Sequence, residues 1–172
     1  TCSTISGGRL NTASGLFSAI LGGCCNSAGV ISTVGGGCCN ITNSRFSFIG
    51  GGQRNIIQSP TNQYCSLGVT IGGGIGHNST GGTFSAITGA LTGAITCCNA
   101  GKLSTIGGGF RNCATGACSF VGGGGRNTAG FGGTIGGGSD NITGELFSTV
   151  AGGKCNIFCQ CFSSFKKINL FS

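Results

Sequence analysis

The stretch Ser104–Asn112 reads Ser-Thr-Ile-Gly-Gly-Gly-Phe-Arg-Asn, and variants of it recur along the whole chain of 172 residues. The closing asparagine returns at intervals of 13 to 15 residues in seven of nine steps. A unit this short cannot bury a hydrophobic core alone, so each copy must stack on its neighbours. The repeat therefore predicts a rod of about ten coils, each of roughly 14 to 15 residues.

Each copy carries isoleucine or valine at the third position of its Ser-Thr-Ile triplet. Such β-branched residues pack well on a pleated surface, whereas the dense glycines disfavour helix. We expect an all-β parallel β-solenoid about 50 Å long, at roughly 4.8 Å per coil. Its predicted inward core ladder comprises Ile5, Ile20, Val34, Ile49, Ile71, Ile87, Ile106, Val121, Ile135 and Val150.

The asparagine that ends each copy is suited to a tight turn, because it tolerates left-handed backbone and bonds to neighbouring backbone groups. Stacked asparagines also form side-chain amide ladders. We therefore predict a structural ladder of Asn11, Asn26, Asn40, Asn55, Asn78, Asn99, Asn112, Asn127, Asn141 and Asn156.

A large apolar residue often precedes the triplet. In a flat strand it would face away from the Ile/Val row, so either a second face is buried or the serine marks a corner. The residues concerned are Phe17, Ile31, Phe46, Phe84, Leu103, Phe147 and Phe162.

The pattern Ser-Thr-Ile/Val-Gly-Gly-Gly-x-x-Asn-x-Ala-x-Gly resembles the repeats of trimeric autotransporter adhesin heads of the YadA type. Similar Gly-Gly-Gly-x-x-Asn repeats occur in phage tail fibres and in fibre-like proteins of large algal viruses. The resemblance covers residues 3 to about 164. It implies a left-handed β-roll, three chains side by side, and a location on a virion surface or an extracellular cell surface. The many cysteines favour the viral relatives.

Two long intervals between asparagines depart from the repeat. We place insertions near 56–69 and 88–96, within a repeat domain of residues 1–164 that is followed by a C-terminal tail at 165–172. Because the chain starts at Thr1 instead of Met, we expect it to be processed or part of something longer.

The 13 cysteines include two adjacent pairs, Cys24-Cys25 and Cys38-Cys39, in the same slot of consecutive copies. Coils about 4.8 Å apart place equivalent residues within disulfide reach, so all four are candidate disulfide cysteines. Neighbours in a strand should point to opposite faces. The alternatives are small buried hydrophobes, or zinc, which adjacent cysteines suit poorly.

Chemistry-bearing residues are scarce. The chain has one histidine, His77, and two carboxylates, Asp140 and Glu145. We expect no enzyme activity, no metal and no cofactor, and we place His77 at a solvated edge in the slot used elsewhere by arginine or cysteine. The glycine runs lack the Gly-Lys-Ser/Thr of phosphate-binding loops.

The net charge is +7, and Arg54, Arg111 and Arg126 share the slot before the asparagine. These residues form either a solvated edge or a stripe that attracts polyanions. We expect no nucleic-acid partner, and no apolar run is long enough for membrane insertion. Glycosylation sequons begin at Asn40, Asn78 and Asn141, where the ladder should block modification.

These features predict a structural or adhesive fibre that projects from a virion or cell. Its partners would be itself, as a homotrimer, and a host surface receptor or glycan. The alternative is a self-polymerising subunit that stacks end to end into an extracellular filament. An ice-binding solenoid fits less well, because alanine and phenylalanine interrupt the threonines at the middle triplet position.

Overall fold

The computed structural model describes residues 2–58, 67–80, 84–88, 98–99 and 101–158. Within them it is all-β, with twenty short strands and no helix. The odd-numbered strands carry the triplets: β1 Thr4–Ile5, β3 Ala19–Ile20, β5 Thr33–Val34, β7 Phe48–Ile49, β9 Thr70–Ile71, β11 Ala86–Ile87, β13 Thr105–Ile106, β15 Phe120–Val121, β17 Thr134–Ile135 and β19 Thr149–Val150. The even-numbered strands follow the asparagine slot: β2 Thr12–Ala13, β4 Ser27–Ala28, β6 Ile41–Thr42, β8 Ile56–Gln58, β10 Asn78–Thr80, β12 Cys98–Asn99, β14 Cys113–Ala114, β16 Thr128–Ala129, β18 Ile142–Thr143 and β20 Ile157–Phe158.

The strands stack as a parallel β-solenoid. The odd strands form one ten-stranded sheet and the even strands another, each in order along the chain. We call each coil a rung, so that rung 1 holds β1 and β2, and rung 10 holds β19 and β20. Single-residue parallel bridges, among them Cys24 with Cys38 and Ser139 with Lys154, join the rungs along a third side. The predicted fold class is confirmed.

The Ile/Val row forms the core. Ile5 pairs with Ile20, Ile20 with Val34, and the register continues to Val150. The members between Ile20 and Ile135 are completely buried, whereas Ile5 is 45% exposed because its rung ends the sheet. Each buried isoleucine contributes roughly 1.5–3 kcal/mol through removal of apolar surface from water.

A second inner row comes from the even strands, and sequence reasoning did not predict it. It is chemically mixed, because it contains buried alanine, threonine, serine and isoleucine: Ala28, Thr42, Ile57, Ser79, Ala114, Ala129 and Thr143. The coil is therefore filled by large residues from one sheet and mostly small ones from the other.

The glycine three residues before the asparagine slot allows rungs to approach closely. Gly37 has φ +85, which side-chain-bearing residues rarely adopt, and a Cβ there would overlap the Gly52 carbonyl of the next rung. The residue before the asparagine slot and the residue before the serine are also left-handed, and most of them are not glycine.

The two predicted insertions are narrower than their predicted bounds. Ile56–Gln58 is strand β8, and Val69 is fully buried in line with the serines that precede the triplets. Thr88 also belongs to a rung, since its amide donates to the Ile106 carbonyl at 3.1 Å. The segments 59–66 and 89–97, and the predicted tail 165–172, lie outside the described residues.

Candidate functional site: the asparagine ladder and the outer faces

The side chain of a ladder asparagine binds backbone groups of its own rung and of the following rung. The Asn40 Nδ2 amide donates to the carbonyls of Gly36 at 2.8 Å and Gly52 at 2.9 Å. Its Oδ1 accepts the backbone N–H of Asn55 at 3.0 Å. One side chain thus provides partners for the Gly36 carbonyl and the Asn55 N–H. It also adds a second donor to the Gly52 carbonyl, which accepts the Cys38 N–H at 2.9 Å.

The same arrangement repeats in two runs. Side-chain amides also meet directly, as in Asn127 Nδ2 to Asn112 Oδ1 at 3.1 Å and Asn141 Nδ2 to Asn127 Oδ1 at 3.0 Å. Only a group with both a donor and an acceptor end can propagate such a stack. The ladder members are Asn11, Asn26, Asn40 and Asn55 in the first run, and Asn112, Asn127, Asn141 and Asn156 in the second.

Asn78 is not a ladder member, contrary to prediction. Its slot is held by His77, whose backbone N–H donates to Asn55 Oδ1 at 3.1 Å, whereas Asn78 lies in β10 opposite Ile56. The long interval between Asn55 and Asn78 made this one-residue shift in register impossible to see from the spacing. Gly76, with φ +72, takes the position that arginine or cysteine fills elsewhere.

The predicted solvated position of His77 is also wrong. The residue is only 2% exposed, and neither ring nitrogen has a hydrogen-bond partner among the described residues. Burial lowers the pKa of its imidazole below the ordinary value, because charging the ring in the rod interior is costly.

Asn99 is displaced as well. Strand β12 pairs Cys98 with Cys113 and Asn99 with Ala114, so Asn99 lies two residues beyond the ladder slot. The residue at the slot itself lies outside the described part of the chain. The same register moves Cys98 out of the slot used by Cys25 and Cys39.

Buried serines form hydrogen bonds at the corner before most odd strands, whereas Val69 and Gly133 hold this position before β9 and β17. Ser32 Oγ donates to the Gly29 carbonyl at 2.9 Å, and Ser119 Oγ donates to the Gly116 carbonyl at 2.6 Å. The hydroxyl replaces the backbone partner that the turn removes. The sequence left open whether this serine marks a corner or a second face is buried, and it did not predict the hydrogen bond from the serine hydroxyl to the turn carbonyl.

The large residues before these serines lie on an outer corner and not on a second buried face. Their backbone is left-handed, with φ between 49 and 56. Phe17, Phe46, Phe84, Leu103 and Phe147 are each 59–71% exposed. Phe162 lies outside the described residues. We define the apolar corner as these left-handed residues with their exposed predecessors: Leu16, Phe17, Ile31, Phe46, Phe84, Leu103, Phe131, Leu146 and Phe147.

Rings on the apolar corner lean over the preceding rung. The Phe84 and Phe147 rings fill the spaces where side chains of Gly68 and Gly132 would stand. Phe147 also meets Phe131 edge to face, with ring centroids 5.8 Å apart and planes at 82°. The apolar corner is thus a ridge in which side chains of some neighbouring rungs are in contact with each other.

The third side carries charge. Arg54, Arg111 and Arg126 occupy equivalent left-handed positions, as predicted from their common slot. Arg126 makes a bidentate ion pair with Asp140 of the next rung, at 2.6 and 2.7 Å. This pairing holds the pKa of Asp140 below its ordinary value and raises that of Arg126. The Arg111 guanidinium lies 5.1 Å from the Phe110 ring centroid.

The four candidate disulfide cysteines are thiols that meet within rungs. Cys24 and Cys25 sulfurs are 3.2 Å apart, and those of Cys38 and Cys39 are 3.4 Å apart. Left-handed backbone at Cys25 and Cys39 turns neighbouring side chains to the same side, so the predicted opposite orientation is wrong. Hydrogen bonding to Cys24 raises the pKa of Cys25 to about 11, and hydrogen bonding to Cys39 raises that of Cys38.

Other predicted features have defined places. Among the described residues, no three or more His, Cys, Asp or Glu side chains converge as metal ligands, and no helix could cross a membrane. Sequon residues Asn40 and Asn141 are completely buried with their Nδ2 groups bonded. The middle triplet residues form an aligned row in which Phe48 and Phe120 interrupt threonines.

No protein-family model matches this chain, and no curated protein matches it either. The rod, the apolar corner and the charged third side are therefore the features that bear on its function.

Proposed function

We propose that the chain is a structural or adhesive fibre element, in which copies associate side by side through the apolar corner. The observation that carries this proposal is the corner itself. A ridge of phenylalanine and leucine stands in solvent along a rod whose interior is already filled.

The corner residues are not the ones that local structure favours. Left-handed backbone costs a residue with a side chain roughly 1–2 kcal/mol, and glycine or asparagine adopts it most readily. Yet Phe17, Phe46, Phe84 and Phe147 occupy that position, and each side chain is mostly exposed. Packing over the preceding rung covers only part of these side chains, which stay 59–71% exposed, so we infer that they also contact another molecule.

A second copy of the chain fits this ridge in spacing. Rungs repeat at about 4.8 Å, so two parallel copies present identical ladders of side chains at the same interval. Closed rings of identical subunits avoid open edges, and the resemblance to adhesin heads and virus fibres favours three chains. The same resemblance favours a virion or cell surface and a receptor or glycan as the outer partner.

The proposal assigns the chain no catalytic role. His77 is buried in the ladder slot, and Asp140 is engaged by Arg126. The charged third side remains available to an external partner, because Arg54 is exposed there.

A corner variant tests the proposal. We would replace Phe17, Phe46, Phe84 and Phe147 by asparagine and measure the mass by light scattering. We expect the trimer to become a monomer that still folds, because asparagine tolerates left-handed backbone. The control, Phe48→Thr with Phe120→Thr, changes two exposed phenylalanines of the middle row and should leave the trimer intact. A quadruple variant that keeps its trimeric mass would contradict the proposal.

End-to-end polymerisation is the second candidate, and the exposed end rungs favour it. Ile5 is 45% exposed and Ile157 is 61% exposed at opposite ends of the sheets. Among the described strands, β1 and β20 are outermost in their sheets, and an outermost strand can template further strands. A mass that rises steadily with concentration would indicate a filament, whereas a mass fixed over a hundredfold concentration range would indicate a closed trimer.

A further inference from the structure

Four thiols from two rungs gather on the third side of the rod. Cys24 and Cys25 come from rung 2, and Cys38 and Cys39 come from rung 3. Two of the chain's left-handed positions hold Cys25 and Cys39, and that backbone brings the sulfurs of each rung into contact.

The backbone holds Cys24 directly opposite Cys38. The two are parallel bridge partners, the Cys24 N–H donates to Gly37 at 2.8 Å, and the Cys24 carbonyl accepts from Cys39 at 2.9 Å. Cys25 and Cys39 stack in the same manner, since the N–H of each bonds to the rung before it.

These positions favour bonds across rungs over bonds within a rung. Stacked residues lie about 4.8 Å apart between Cα atoms, inside the range of about 4.4–6.8 Å that disulfides use. Adjacent residues joined by a trans peptide are about 3.8 Å apart, which is outside it. The within-rung sulfur contacts are therefore the reduced arrangement, and not precursors of vicinal bonds.

We propose that this cluster is a redox modification site, where a low-molecular-weight disulfide oxidises the thiols to two cross-rung bonds, Cys24–Cys38 and Cys25–Cys39. In each column a thiolate attacks the oxidant, forms a mixed disulfide and releases one thiol. The thiolate of the facing rung then attacks the mixed disulfide and releases the second thiol. Each bond removes two protons and two electrons from the protein, and these reduce the oxidant to two thiols.

The site would respond to its surroundings after folding. The raised pKa of Cys25 and Cys38 lowers the thiolate fraction of these two thiols at neutral pH, which slows their attack on the oxidant. Each bond closes a loop of about 15 residues, which disfavours local opening of rungs 2 and 3. This effect does not depend on whether the chains form a fibre.

Paired double variants of the full chain test the assignment. Cys25→Ser with Cys39→Ser leaves one thiol in each rung within the same column, whereas Cys38→Ser with Cys39→Ser leaves two adjacent thiols in rung 2. After treatment with oxidised glutathione, peptide mapping should find a Cys24–Cys38 bond in the first variant and glutathione adducts in the second. Serine is close in size to cysteine, and circular dichroism checks that both variants fold.

The parent chain supplies a second readout. Oxidation should slow hydrogen exchange at the amides of Cys39 and Asn40 by about 100-fold, the change expected for a loop of this size. The amide of Asn127, in rung 8, should not change, and a reductant should reverse the effect. Bonds within a rung, free thiols in the same-column variant, or unchanged exchange in rungs 2 and 3 would overturn the proposal.

Discussion

Rungs 7 to 10 and rung 5 differ at one slot of the same repeat. In rungs 7 to 10 the slot holds Asn112, Asn127, Asn141 and Asn156, and each amide bonds to the rungs beside it. In rung 5 it holds His77, whose ring bonds to nothing among the described residues. The backbone N–H of His77 still meets Asn55 at 3.1 Å.

This comparison separates two layers of stabilisation. The backbone pairing and the Ile/Val row continue through rung 5, since Ile71 pairs with both Ile49 and Ile87 and is fully buried. The side-chain amide stack does not continue. The coil therefore tolerates one irregular slot so long as its sheets and its core are kept.

The largest expected effect is a loss of folding stability when the Ile/Val row, which both regions share, is disrupted. Ile106→Asp would place a carboxylate among fully buried apolar side chains, which we expect to cost about 5 kcal/mol or to prevent folding. The matched control is Ile5→Asp in the half-exposed end rung, where the loss should be far smaller. If the two variants have the same denaturation midpoint, the inward row does not carry the stability.

Asn127→Asp tests the amide layer. The Asn127 Nδ2 group donates to the carbonyls of Gly123 and Gly138, and a carboxylate would oppose both oxygens in a fully buried site. We expect a loss of about 3–5 kcal/mol by urea denaturation at pH 7. Asn156→Asp, at an exposed rung, provides the control and should cost much less. Equal losses would contradict a buried ladder.

His77→Asn should repair the irregular slot. The new amide would have the Gly73 carbonyl where Asn55 finds Gly51 at 2.9 Å, and two unpaired ring nitrogens would be removed. We expect a gain of about 1–2 kcal/mol in the free energy of unfolding. The reverse change, Asn127→His, should be destabilising. A neutral or harmful His77→Asn would mean that the imidazole stabilises rung 5.

The smallest effect is a pH dependence confined to rung 5. Because the folded pKa of His77 is lower than its ordinary value of 6.5, the unfolded chain binds its proton first as pH falls. Stability is thus fully present above about pH 6.5 and declines below it until the folded pKa is reached. Denaturation midpoints at pH 7 and pH 5 should differ in the parent and differ less in His77→Asn. If the variant keeps the pH dependence of the parent, a group other than His77 causes it.

The regular parts of the fold could be predicted because the repeat marks them directly. The fixed Ile/Val position identifies the core row, and the fixed asparagine identifies eight ladder members. The Asn78 and Asn99 assignments failed because insertions break the spacing, so a residue near the right place is not in register. Cys24 and Cys25 were misoriented for another reason. Their side chains share a direction because the backbone at Cys25 is left-handed. A left-handed backbone is hard to predict from sequence at residues other than glycine and asparagine.

The most direct test of the central claim is the mass of the unaltered chain in solution. Light scattering coupled to size exclusion, at micromolar concentration, measures it without reference to shape. The account predicts a particle of three 16.7 kDa chains whose mass is constant on dilution. A monomer would contradict it, because the apolar corner would then lie in solvent without a partner copy.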